Sequence, residues 1–346
     1  MLRKGLVRAA SAIAGLALFI LALELLKAAA SELAPLLTQW QVSGLRQSVG
    51  FGWLGAYVVL SGSPVAAIAL TLFSTSLLND LATLGMLTGS RLGASFIVLF
   101  VGFLYYLRGE RRVASVAIGV LAFAVTATIY LPALALGTMI LQQGWLDGVR
   151  FGTPAALNSA IEIVFDPIVN AIQTRVPFWG VFIAGLGAIL GAFKLFDGAL
   201  PEVDPENSRF GNLANAIYRP MIMFLIGAAF TSMTLSVSVS LTLLVPLSTR
   251  GYIRRENVVP YIMGANITTF VDTLFASLLL NSPRAFTIVL VEVICVSFFS
   301  LLILVFLYRP YQRIMSRLLD TVLATRWTLL GFVAVLVAIP LLLLLL

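Results

Sequence analysis

The sequence predicts an all-α polytopic membrane protein built from two inverted-topology repeats, each with a re-entrant helical hairpin and a following transmembrane helix. Three observations carry that prediction. The 346 residues are 60% hydrophobic and 11% charged, with a mean hydropathy of +1.03, far outside the range of soluble globular chains. Clusters of Gly, Ser, Thr and Asn interrupt the apolar runs in mid-segment, where hydrocarbon tolerates polar groups only when protein or ligand satisfies them. Finally, the clusters recur. Leu60-Ser61-Gly62-Ser63 maps onto Leu235-Ser236-Val237-Ser238, and Gly89-Ser90-Arg91-Leu92-Gly93-Ala94 onto Gly264-Ala265-Asn266-Ile267-Thr268-Thr269, at one gapless offset of 175 (235 − 60 and 264 − 89). A single offset that aligns two motifs marks a duplicated unit.

Composition also excludes function classes. Histidine is absent, which removes the commonest general base and metal ligand, and the lone Cys295 excludes a disulfide framework. The net charge of +7 would suit nucleic acid in a soluble chain. Here the basic residues sit at the ends of apolar segments and read as topology signals, so no nucleic-acid partner is expected. With no nucleophile–base pair, metal cluster or phosphate loop, the chain is not expected to be an enzyme, and no cofactor is expected.

Taken in order, residues 1–150 form the first repeat with its N-terminal helix. Arg3, Lys4 and Arg8 precede an apolar run that approaches the ~20 residues of a membrane span, so residues 9–26 are expected to be a retained helix rather than a signal peptide. An amphipathic stretch to about residue 48 reads as an interfacial connection. The apolar run 51–78 is broken at Ser61-Gly62-Ser63-Pro64, which favours two half-length helices over one span. Residues 81–107 are long enough to cross and end at Arg108, Arg111 and Arg112; residues 113–141 cross back.

Residues 151–176 are the connecting segment, with 154–172 expected to lie on the membrane surface because Asn158, Glu162, Asp166 and Pro167 spoil a span. The carboxylates Glu162 and Asp166, spaced i to i+4, read as a solvated face, and Glu24 with Lys27 as a pair at a helix end. Residues 177–310 form the second repeat, with an apolar helix at 181–196, a polar loop at 200–219, a broken apolar run at 221–247 and spans at 258–280 and 285–307. Residues 311–346 hold a basic segment, with Arg313, Arg317 and Arg326, and a final helix at 327–346. Placing the basic clusters 3–8, 108–112, 250–255 and 309–326 on one side requires an odd number of crossings per unit, so the second unit is inverted. The expected setting is the cell (inner or plasma) membrane, multi-pass, with a cytoplasmic N-terminus.

Broken helices expose backbone N–H and C=O groups at their tips. Helix N-termini and serine hydroxyls there suit an oxyanion, whereas the oxygens of Asn266, Thr268, Thr269 and Asp272 are hard donors of the kind that hold Na⁺. Arg91 can grip two oxyanion oxygens at once. Alternatively Arg91 and Asp272 pair across the repeats, since an unpaired charge in the membrane costs at least ~2.5–3.5 kcal/mol. For the hydroxyls the alternative is back-bonding to the carbonyl four residues earlier.

The serine-rich hairpin followed by G-A-N-I-x-T, present twice, resembles the sodium-dependent phosphate cotransporters, the Na/Pi symporter family, over about residues 15–310. That family carries Q-S-S-S and then G-A-N-I-G-T in each half. By position Ser61, Ser63, Ser236 and Ser238 match the hairpin serines. Gly264, Ala265, Asn266, Ile267 and Thr269 match the second G-A-N-I-G-T, and Gly89, Leu92 and Gly93 match the first loosely. The departures are Leu60 and Leu235 at the glutamine positions, Gly62 and Val237 at the middle serines, and Arg91 at the first asparagine.

The resemblance implies sodium-coupled uptake of inorganic phosphate by alternating access, in a lipid bilayer, with Na⁺ as the coupling ion. The expected substrate site is Ser61, Ser63, Arg91, Ser236, Ser238 and Asn266, and the expected cation site Ser95, Asn266, Thr268, Thr269 and Asp272. Three alternatives stay open: another anion on the same fold, proton coupling through Asp272, and a non-transporting scaffold or sensor. A homodimer also stays open.

Overall fold

The computed structural model describes residues 2–39, 42, 44–107, 112–199, 219–234, 240, 241, 244 and 255–345. Among them every element is a helix: α1 (Leu2–Gln39), α2 (Leu45–Val59), α3 (Gly62–Ser74), α4 (Asp80–Leu107), α5 (Arg112–Gln143), α6 (Ala155–Gln173), α7 (Phe178–Ala199), α8 (Pro220–Thr234), α9 (Arg255–Thr268), α10 (Val271–Leu279), α11 (Pro283–Leu302), a π-helical turn (Ile303–Leu307), α12 (Tyr308–Leu323) and α13 (Arg326–Leu345). Among the described residues, seven helical segments are long and apolar enough to cross a membrane. The chain is a multi-pass membrane protein.

Two glycine-mediated crossings set the interior. Where α2 meets α4, a Cβ on Gly52 would stand 2.2 Å from the Met86 carbonyl oxygen, and one on Gly89 would stand 2.1 Å from that of Val49. Where α8 meets α9, a Cβ on Gly227 would stand 2.2 Å from the Tyr261 oxygen, and one on Gly264 would stand 2.0 Å from that of Phe224. All four residues of the second crossing lie 175 positions after their counterparts in the first. Only glycine permits such backbone contact, which is how helices associate where no water drives them together. The serines 236 and 238 and the basic residues 250 and 254 lie outside the described residues, as does most of the loop 200–219.

The break between α2 and α3 falls where the sequence places it. Leu60 is left-handed at φ 55°, ψ 30°, and Ser61 is extended, so the helix ends there and α3 starts afresh, packed on α2 and α4. In α1 the helix runs unbroken to Gln39, past the expected end near residue 26. Ala29, Ala30, Leu33 and Leu37 are buried along this extension, so packing keeps it helical through Pro35. The expected span 258–280 is present as the segment Asn257–Leu279, with a turn at Thr269-Phe270 that parts α9 from α10. The Phe270 N–H bonds only weakly to Ile267 O at 3.4 Å, and the ladder restarts with Leu274 N to Phe270 O at 2.8 Å. The side chain of Thr269 is drawn into the polar site described below. The segment 309–326, expected as polar, is largely helix α12: it buries Met315, Leu319 and Val322 and leaves Arg309, Arg313 and Arg317 exposed.

Around this interior, α1 and α7 form a peripheral pair seamed by Phe19 edge-on to Phe193 at 5.6 Å. Helix α6 rests on them through Val169, which packs with Leu25, Ala29 and Val181, while Ile163 and Val164 are exposed. Glu24 and Lys27 pair at 2.7 Å as expected. Helix α13 is fastened to α2 by the Tyr57 hydroxyl, which donates to Leu336 O at 3.0 Å.

Candidate functional site

The largest concentration of buried polar side chains lies where α3, α4, α5, α9 and α10 converge. Arg91, on the inward face of α4, is 3% exposed. It reaches this position because Gly62, at the start of α3, lies against α4: a Cβ there would stand 2.7 Å from Ser90 O. The first turn of α3 therefore opens beside the guanidinium, and Ser61 at its N-cap makes no side-chain capping bond.

The guanidinium is held from both sides of the chain. Arg91 Nη1 donates to Ser63 Oγ at 3.4 Å and to Thr269 Oγ1 at 3.2 Å. Its Nη2 donates to Thr273 Oγ1 and, at 3.4 Å, to Asp272 Oδ1, while Thr273 Oγ1 donates to the same carboxylate oxygen at 2.8 Å. The carbon at its centre stands 4.9 Å from the centroid of the Phe270 ring, a cation–π distance. Phe270 in turn stacks on Tyr130 of α5 at 6.0 Å. Two atoms at the centre of the cluster, Arg91 Nε and Asp272 Oδ2, are buried without a hydrogen-bond partner.

Asn266 is set by α5: its amide donates to Thr126 Oγ1 at 3.1 Å, and its carbonyl accepts from the Tyr130 hydroxyl at 2.8 Å. One turn before Arg91, Thr88 donates to Glu292 Oε1 of α11 at 2.8 Å, and Glu292 is 1% exposed. Among the described residues the interior thus holds one buried cation, Arg91, and two buried carboxylates, Asp272 and Glu292.

Of the residues the sequence nominates, Ser63, Arg91, Asn266, Thr269 and Asp272 come together. Ser61 is half-buried at the helix break. Ser95 donates to Leu92 O at 2.6 Å and Thr268 to Gly264 O at 3.3 Å, which is the back-bonding alternative. Ser236 and Ser238 fall outside the described residues. The Arg91–Asp272 pairing weighed as an alternative is present, through one long contact. Sequence reasoning missed Thr273, Phe270, Thr126, Tyr130, Thr88 and Glu292. For Glu292 a signal existed, as the only carboxylate within α11; intramembrane acids are functional until shown otherwise. For Thr126 and Tyr130 no pattern in α5 sets them apart.

These features define a class, a multi-pass all-helical membrane protein with a charged polar site enclosed in its interior. The chain matches no family model, no curated protein and no solved structure.

Proposed function

We propose that the protein is a secondary active transporter that takes up inorganic phosphate with sodium by alternating access, using the Arg91 cluster as its anion site. One observation carries this reading: a buried guanidinium with an unpartnered Nε, whose only carboxylate contact among the described residues is a single 3.4 Å bond. A purely structural Arg–carboxylate pair in a membrane interior would be expected to use its fork in two short parallel bonds. Arg91 instead spreads its donors over hydroxyls, an arrangement suited to an oxyanion.

The recurrence of the glycine crossings at the 175-residue offset supports a duplicated carrier architecture, and the basic clusters support an inverted second unit. In this reading the helix break at Ser61 is the tip of the first re-entrant hairpin, the tip of the second falls at Ser236 and Ser238 outside the described residues, and the turn at Thr269 interrupts the span that follows. Ser61, Ser63 and Asn266, together with Ser236 and Ser238, complete the substrate site. Thr269 and Asp272 contribute to a sodium site, with Ser95 and Thr268 joining if their back-bonds rearrange. The protein then acts as a carrier in the cell membrane and not as an enzyme.

A second reading, a carrier for a different anion on the same fold, is favoured by Leu60, which leaves the first hairpin without a side-chain amide. The deciding experiment is isotopic phosphate uptake into proteoliposomes under an inward Na⁺ gradient, against a K⁺ control. Sodium-dependent uptake that Asn266→Ala abolishes is the expected result. Uptake indifferent to Na⁺ moves the coupling elsewhere, and no uptake in wild type overturns the phosphate assignment.

A further inference from the structure

Glu292 takes no part in the anion site, yet its surroundings are those of a site. It lies midway along α11, a helix whose neighbouring side chains Ile288, Val289, Val291, Cys295 and Val296 are fully buried. Its Oε1 accepts from Thr88, and its Oε2 is buried with no hydrogen-bond partner. Among the described residues no lysine or arginine forms an ion pair with it. Among the described residues the other ionisable groups that face it are Arg91 on α4, Tyr130 on α5 and Cys295 on α11 itself. Arg91, the one cation among them, is already engaged by Asp272.

A carboxylate enclosed in a membrane interior needs a positive partner, and the chain supplies none in contact. We infer that Glu292 and Thr88 form a monovalent-cation site, filled by Na⁺ or H⁺. Both carboxylate oxygens and the threonine hydroxyl are hard donors, and a divalent ion would find a single negative charge. Thr88 and Arg91 lie three residues apart on one face of α4, so the two sites share a helix turn. A cation on Glu292 removes a negative charge from the neighbourhood of the anion site and strengthens anion binding there, and by linkage the anion strengthens cation binding to the same degree. That coupling rests on the transport reading above; the cation site does not.

The test uses the purified full chain in detergent, without phosphate. Its thermal midpoint is followed against rising NaCl at constant ionic strength with choline chloride, and in choline alone across a pH series. Ligands that bind only the folded state raise the midpoint saturably. A wild-type response to Na⁺ identifies a sodium site, and a response to pH alone identifies a proton site. In either case the response is expected to weaken in Glu292→Gln, which keeps the acceptor for Thr88, and any sodium response left in that variant belongs to the site at Thr269 and Asp272. For a sodium site, Thr88→Val is expected to raise the half-saturating Na⁺ concentration about tenfold, through the loss of one hard oxygen donor. Should Glu292→Gln not fold, Glu292→Asp serves: a shifted half-saturation supports the site, and an unchanged one overturns it.

A wild-type midpoint insensitive to both ions overturns the inference, as does a response that Glu292→Gln leaves unchanged in size and half-saturation. If the cation response is intact but phosphate neither binds nor alters it, the cation site stands and the phosphate reading fails.

Discussion

The two glycine crossings are alike in backbone and unlike in charge. In both, a pair of glycines brings helix backbones into contact, Gly52 with Gly89 in one and Gly227 with Gly264 in the other. Two residues beyond the second glycine, however, α4 carries Arg91 where α9 carries Asn266. Position 272 is aspartate, whereas its counterpart at 97 is isoleucine. Each half therefore contributes one member of the central ion pair, and neither is neutral in the site without the other. Packing preserves the crossing because any side chain there would collide with backbone. The polar positions beside it are under no such constraint, so the two crossings share their backbone contact and differ in charge.

The largest break in this comparison comes from removing one charge. Arg91→Met or Asp272→Asn alone leaves its partner buried and uncompensated, an expected loss of about 3–5 kcal/mol in thermal or denaturant unfolding. The double variant Arg91→Met/Asp272→Asn is expected to recover most of that loss; additive losses would mean the two groups do not interact.

The scaffold half of the comparison is sharpened by Gly89→Ala and Gly264→Ala. With backbone oxygens 2.1 and 2.0 Å from the new Cβ, the helices must separate, and each variant is expected to lose about 1–3 kcal/mol or more. Similar losses in the two would support equivalent crossings, and a neutral Gly264→Ala would break the equivalence. Next, Tyr130→Phe removes the hydroxyl that donates to Asn266 O while keeping the ring on Phe270, for an expected loss of about 1 kcal/mol. Smallest is Gly187→Ala on the peripheral helix α7, where nothing lies within 4 Å of the added Cβ; a gain of roughly 0.5–1 kcal/mol is expected.

Much of this was legible in the sequence, for identifiable reasons. Membrane helices announce themselves by length and apolarity, and the break at Ser61 by local residues that free backbone groups. The duplicated motifs pointed to Gly89 and Gly264, and the glycine contacts recur at the same offset. The break at Thr269 was not legible, because no proline or glycine stands at the point and the polar residues beside it, Asn266, Thr268, Asp272 and Thr273, fit a continuous helix as well; Thr269 is drawn aside by a guanidinium 178 residues distant in sequence. The roles of Thr126, Tyr130 and Thr88 depend equally on long-range partners that no local pattern encodes. Glu292 could have been read as a lone carboxylate in a span, but its partner Thr88 could not.

The central claim, that the cross-half cluster at Arg91 is an anion site and not only a structural tie, is tested most directly by equilibrium binding of isotopic phosphate to purified protein in sodium buffer. Wild type is compared with the charge-balanced double variant Arg91→Met/Asp272→Asn, with folding of both verified by thermal unfolding. Saturable binding in wild type that is lost in the folded double variant is the predicted result. Equal binding by the two proteins would contradict it and leave the ion pair a structural element.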